Sequence, residues 1–318
     1  MRKILIPALL LLLTFSVSAA PVIRQRQFAR LNYCNVYDLL KINRFNVRIQ
    51  QKKLLASARN RNLVFEHKQR KFQFNGQRVE LGFPLVYNGN QSWLTVADWQ
   101  KTLRPLLYPA TAAKHRIYTI YLDMGHGGSD PGAIGRFSKE KNITLALGRR
   151  VAAFLRSYGY RVIMTRNSDI YVPLTQVSAR QRLSRSDLFV SIHVNSAADK
   201  SISGIETFCL TPAGMASSNG GKVDKKSYPG NRLDSNNILL AWNIQRSLLK
   251  FTSGRDRGIK RARFAVLKEL NVPGVLIEVG FISNRIEEKL LNQRAYQDRI
   301  AAGIVNGIVN YSRTVRQK

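Results

Sequence analysis

The chain has 318 residues, 44% of them hydrophobic, and a formal charge of +32 from 51 Lys and Arg against 19 Asp and Glu. That apolar content is ample for a packed core and excludes a chain disordered throughout. Residues 21–110 carry +12 and residues 111–318 carry +18, so the charge is not a basic tail on a neutral domain, and a field of this sign attracts polyanions.

The first element in chain order is MRKILIPALLLLLTFSVSAA. Its basic start, apolar run and small-residue end predict a secretory signal peptide over residues 1–19, cut after Ala19. The run from Ile4 to Val17 is short for a membrane span of roughly 20 residues, and the lack of a Cys near the cut speaks against lipidation. Export points to the periplasm or cell envelope. It directs the charge away from nucleic acid and toward cell-wall polymers, with a membrane surface engaged through charge alone. Cys34 and Cys209 lie far apart with no C-x-x-C, and are expected to be free buried thiols.

Residues 20–112 read as a small β-rich accessory domain. KFQFNGQRVELGFPLVYNGNQSWLTVADW alternates apolar and polar residues around Asn75-Gly76 and Asn88-Gly89, which predicts hairpins because both residue types tolerate positive φ. Short helices are expected near Asn35–Lys41 and Asp98–Leu106. The pattern resembles the stalk-like domain of copper amine oxidases and of some cell-wall amidases. It holds no candidate acid, base or ligand, and His67 and His115 are expected on the surface.

From residue 113 the period changes, which predicts a second domain over 113–318. IYTIYLD, YRVIMTR, DLFVSIHV, GIETFCL and GVLIEVGF read as strands, with helices in NITLALGRRVAAFLRSYG, NNILLAWNIQRSLLKF and YQDRIAAGIVNGIVNYSR. Alternating elements with nearly all-apolar strands predict an α/β fold, a mixed but mostly parallel sheet covered by helices on both faces. Ligands in such sheets sit where strands end. Residues 211–237 read as a long surface loop, functional or mobile.

Two of the four histidines, His126 in GHGGSDPG and His193 in DLFVSIHVNS, fall at the same edge of this sheet. Glu278 in GVLIEVGF adds a carboxylate to an apolar strand, which is costly unless it is paired, protonated or bound to a cation. A metal explains all three placements, and a catalytic zinc takes three His or carboxylate ligands. Glu140 is a candidate third ligand, although a Glu in the first turn of a helix also has an ordinary reading. Glu278 would then serve as a base.

YLDMGHGGSDPGAIG, EKNITLAL, DLFVSIHVNS and VLIEVGFISN, in this order, resemble the zinc-dependent N-acetylmuramoyl-L-alanine amidases of the type 3 family. The resemblance covers about residues 115–312. It implies one Zn2+ per chain on His126, Glu140 and His193, Glu278 as the catalytic residue, and Asn195 lining the substrate site. It also implies hydrolysis of the amide between N-acetylmuramic acid and L-alanine in peptidoglycan and muropeptides, with an activator protein as a partner. Met124 stands where the family has Ala, and Thr144 where it has Asn, a change expected to touch helix packing more than chemistry. Loop 211–237 does not resemble the helical insertion that blocks the site in some relatives. A non-catalytic wall-binding protein on the same scaffold is the competing reading, and the intact residue set argues against it. A nucleic-acid binder is a third, opposed by the signal peptide.

Overall fold

The computed structural model describes residues 22–50, 53–88 and 90–316. The expected signal peptide and Gly89 of the second Asn-Gly pair lie outside the described residues. The N-terminal segment carries β1 (Gln25–Phe28), β2 (Leu31–Asn35), α1 (Val36–Ile42), β3 (Asn46–Gln50), β4 (Lys53–Ala58) and β5 (Arg61–Glu66). It continues with β6 (Lys71–Phe74), β7 (Gln77–Glu80), β8 (Val86–Asn88), β9 (Gln91–Thr95), α2 (Val96–Asp98) and α3 (Arg104–Leu107). The second segment begins with β10 (Thr119–Met124), α4 (Glu140–Ser157), β11 (Arg161–Met164), α5 (Leu174–Leu183), β12 (Leu188–Asn195) and β13 (Ile205–Leu210). It ends with α6 (Asp234–Thr252), β14 (Asp256–Ala262), α7 (Ala265–Lys268), β15 (Gly274–Phe281), α8 (Arg285–Leu291) and α9 (Arg294–Val315).

The hairpin expectations follow turn chemistry. Asn75 and Gly76 take φ of 49° and 79° and join β6 to β7 with Phe74 opposite Gln77. Asn88 stands opposite Gln91, so β8 and β9 also form a hairpin. Phe72, Phe74, Val79 and Leu81 are all buried.

Strands β1-β2-β9-β8 form a small sheet, and the other eleven form one continuous sheet in the order β11-β10-β12-β15-β13-β14-β7-β6-β5-β4-β3. The expectation of a mostly parallel sheet holds only from β11 to β7, where β15 and β13 are the one antiparallel pair. Beyond β7 every pairing is antiparallel. The physical reason is that β7 adds to the edge of β14, and the hairpin meander of the first segment carries the sheet onward.

One hydrophobic core runs through both segments, from Val36 and Phe74 to Leu240, Ile304 and Val315. The Phe74 and Trp242 rings lie 5.5 Å apart across the joint. Arg261 is buried there, and its guanidinium donates to the carbonyls of Leu210 and Lys101. The loop after Thr211 is pinned rather than loose. Arg70 donates to the carbonyls of Ala216 and Ser217, and Arg263 to that of Met215. It contains no α-helix before Asp234. Cys34 and Cys209 are free and buried.

The two faces of the sheet are covered unequally. The long helices α4, α6 and α9 pack Leu147, Ile244 and Ile304 into the main core. On the other face a smaller cluster, with Tyr121, Phe189, Phe208 and Leu276 from strands, lies under Val177 of α5 and Val266 of α7. Those two helices are short, and a cleft stays open beside them at the C-terminal ends of β10, β12 and β15. Among the described residues no helix is long and apolar enough to cross a membrane.

Candidate active site

β10 delivers the chain into a glycine loop in which His126 itself takes φ 66°, a left-handed conformation that L-residues adopt uncommonly. Two glycines make room for the imidazoles. A Cβ on Gly125 would lie 2.3 Å from the His193 ring, and one on Gly132 would lie 2.6 Å from His126 and 2.7 Å from Glu140 Oε2. The backbone therefore passes where any side chain would displace an imidazole.

Glu140 is the first residue of α4 and is buried. Its Oε1 accepts from the Val194 amide at 3.0 Å and meets His193 Nδ1 at 3.0 Å. Its Oε2 accepts from the Ala133 amide at 2.9 Å and lies 3.2 Å from His126 Nε2. The His126 and His193 rings stand edge to face, 5.1 Å apart. One donor atom from each of His126, Glu140 and His193 lies within 4.8 Å of the others. Two imidazoles and a carboxylate this close, at the floor of an open cleft, fit a zinc ion with a coordination position to spare.

Charge couples the three groups. The hydrogen bond to Glu140 outweighs burial and pushes His126 up to about 9, helped by Asp130. Burial would raise Glu140, but hydrogen bonds from both histidines hold it well below the usual carboxylate range. Burial opposes a charge on His193, yet Glu140 and Glu278 raise it.

Asp130 Oδ2 lies 2.7 Å from His126 Nδ1 and leaves Nε2 for the centre of the trio, the arrangement that orients histidine ligands in metal sites. Sequence reasoning gave Asp130 no role, although an acid four residues after a candidate ligand was a signal. Thr144 does more than pack its helix. Its hydroxyl donates to the Gly125 carbonyl at 2.8 Å, and buried Arg166 donates to the Gly125 and Met124 carbonyls. Met124 packs against Gly148 of α4 and also lines the cleft.

Glu278 stands directly opposite His193 on β15. Its Oε2 is buried and has no hydrogen-bond partner. Burial pushes its carboxyl up to about 8, against the attraction of His193 and with the help of Glu140 and Glu206. The cleft of about 290 Å³ that it lines also exposes His126, His193 and Asp130 beside an apolar wall including Tyr171, Leu174 and Phe264.

Glu206, opposite Glu278 on β13, was not singled out, although a carboxylate in the apolar run GIETFCL is the same signal that drew attention to Glu278. It is clamped by Arg257 at 2.8 Å and Lys260 at 2.6 Å. Its other oxygen accepts from the Asn195 amide at 2.9 Å. Asn195 is thus committed to Glu206 and is not among the residues lining the cleft. His67 and His115 are half-buried rather than on the surface, with His67 held by Ser92. Neither joins the trio.

Residues 120–310 match the N-acetylmuramoyl-L-alanine amidase family. The chain belongs to that family. Among curated relatives, the uncharacterized protein YqiI of Bacillus subtilis is 37% identical over 193 residues, covering 61% of this chain and 84% of its own. The amidase AmiA of Salmonella typhimurium is 31% identical over 255 residues, covering 71% and 87%. AmiC of Escherichia coli is 33% identical and covers 64% of this chain but 55% of its own. Solved amidases share the fold of about three fifths of the chain. The catalytic domain of CwlV from Bacillus (Paenibacillus) polymyxa gives a TM-score of 0.53 at 30% identity, with 61% of this chain and 98% of that one covered. CwlD of Clostridioides difficile, solved in complex with the GerS lipoprotein, gives 0.53 at 31%, with 61% and 98% covered. His126, Glu140, His193 and Glu278 all lie within the matched residues, on the face left open by α5 and α7.

Proposed function

We propose that the chain is an exported, zinc-dependent peptidoglycan amidase that hydrolyses the bond between N-acetylmuramic acid and the L-alanine of the stem peptide. The observation that carries this reading is the Glu278 carboxyl. Its Oε2 is buried without a partner beside three side chains that satisfy one another. A group kept unsatisfied at a cleft, with its proton affinity raised toward neutrality, suits a proton carrier.

His126, Glu140 and His193 would hold the metal. Zinc, when bound there, supplies a Lewis acid for the scissile carbonyl and a lowered pKa for water. Asp130 holds the His126 ring. Glu278 takes a proton at Oε2 and returns it to the leaving amine. The apolar wall of Tyr171, Leu174 and Phe264 excludes water from one side of the cleft.

In this reading residues 1–19 direct export to the periplasm or envelope, residues 20–112 are an accessory unit, and residues 113–318 carry the chemistry. The complex of CwlD with a lipoprotein supports a protein partner for this chain as well.

Mass analysis of muropeptides after incubation with the protein tests the reading. Free stem peptides should appear, vanish with chelator and return with zinc. Glu140→Gln should regain part of its activity in excess zinc and Glu278→Gln should not. Release of stem peptides that chelator leaves unchanged would overturn the zinc assignment.

A further inference from the structure

A second cleft lies at the opposite end of the parallel strands. It encloses about 280 Å³ between the segment entering β10, the turn after α4 and the C-terminal turn of α9. Three arginines, Arg116, Arg313 and Arg316, and three tyrosines, Tyr118, Tyr158 and Tyr160, line it, and no carboxylate does. Arg313 and Arg316 are exposed and make no ion pair or hydrogen bond among the described residues, and Arg116 donates only to the Tyr118 hydroxyl. An acid on this edge, Asp187, accepts from the Tyr118 and Thr119 backbone amides and does not line the cleft. The last carbonyl of α9, at Val315, is taken by the His115 amide, so the arginines are not needed to cap the helix.

Unpaired guanidinium groups suit carboxylate or phosphate, which they bind in a planar fork. Tyr118 and Tyr158 are 60% and 64% exposed and offer flat faces for a ring to lie on. The volume is near the lower end of ligand clefts, roughly 300–1,000 Å³, which suits one or two sugar residues rather than a polymer segment buried whole. We propose that this cleft binds a pyranose carrying a carboxylate. Resting on the amidase reading, such a sugar is the product of the reaction, because cleavage leaves a lactyl carboxylate on each muramic residue of the glycan. β10 spans six residues between the two clefts, a separation of about 20 Å. A glycan strand that follows the surface around this buried strand can occupy the basic cleft while a muramic residue further along it is processed.

The test uses the full chain with Arg116, Arg313 and Arg316 replaced by Ala. Its control is an equally discharged variant in which the exposed, unpaired Arg48, Lys222 and Lys289 are replaced instead. Binding is measured by co-sedimentation with glycan strands stripped of stem peptide, and by titration with N-acetylmuramic acid, N-acetylglucosamine and N-acetylglucosamine 6-phosphate. The cleft variant should bind stripped strands about tenfold more weakly than the control, about 1.4 kcal/mol. N-acetylmuramic acid should compete and N-acetylglucosamine should not. Turnover of a small soluble muropeptide should be equal in both variants, which separates this proposal from the amidase reading, since binding needs no turnover. Tyr158→Ala, which alters no charge, should weaken binding in the same direction. Equal binding by the two triple variants would overturn the proposal. So would stronger competition by the phosphate sugar, or an oligonucleotide that competes as well as N-acetylmuramic acid.

Discussion

Replacing Glu278 by Gln should stabilise the metal-free protein at alkaline pH while removing its turnover. The carboxyl is raised from 4.5 to about 8, chiefly by burial. That rise corresponds to an upper limit of roughly 5 kcal/mol against the ionised form. Solvent at the cleft mouth screens this to about 2 kcal/mol. Below pH 4.5 the carboxyl is neutral in the folded and the unfolded chain, and Glu and Gln should be equally stable. Between pH 4.5 and about 8 the unfolded chain is already ionised while the folded one resists, so across that window the wild type loses stability that the Gln variant keeps. Thermal unfolding in chelator should show equal midpoints at pH 4 and a variant higher by about 4 °C at pH 9. Loss of the proton carrier should lower zinc-loaded turnover by about 10²–10⁴. Equal midpoints at pH 9, or a variant that keeps its turnover, would refute the link between burial of this carboxyl and its chemistry.

Asp130→Asn should loosen the His126 ring and weaken zinc binding by about 10–100-fold; competition with a chromophoric chelator reads this directly, and a change under twofold would sink the positioning role. With His126 raised to about 9 by Glu140, zinc uptake should tighten by about tenfold per pH unit for each proton released and level off above pH 9. The same raised pKa stabilises the metal-free protein below about pH 6.5, a contribution lost as pH rises through 9. The metal-free and zinc-loaded melting curves should therefore diverge across that range. A chain begun at residue 113 should express as insoluble or partly folded protein, because it bares the outer edge of β14 and strips Phe74 from Trp242; a soluble, cooperatively melting fragment would show that the shared core is dispensable.

Two of the candidate site residues were legible because their chemistry conflicts with their surroundings, whereas Glu140, in the first turn of a helix, was assigned only by the family resemblance. His193 and Glu278 interrupt apolar runs, and only a site explains the cost. β14 was not legible for the opposite reason. Its sequence DRGIKRA reads as a charged surface turn. In the fold Arg257 and Lys260 share the Glu206 carboxylate, and the buried Arg261 guanidinium donates to backbone carbonyls. Asn195 was placed at the substrate site by the family resemblance alone; its partner lies on β13 and no local pattern reveals that pairing. The joining of β7 to β14 was equally hidden, since each edge alone looks like an ordinary sheet end.

That junction also sets an order of events for the newborn chain. Val79 must find Ile259, 180 residues further along. At ordinary ribosomal speeds of about 5–20 residues per second, β7 waits roughly 10–40 s for its neighbour. During that interval the hairpins from β3 to β7 can close on one another, with β7 still a bare edge and the apolar side of the meander still wet. The slow step in maturation is then the late arrival of β14, and any helper protein that guards this chain has most to gain by holding residues 71–80.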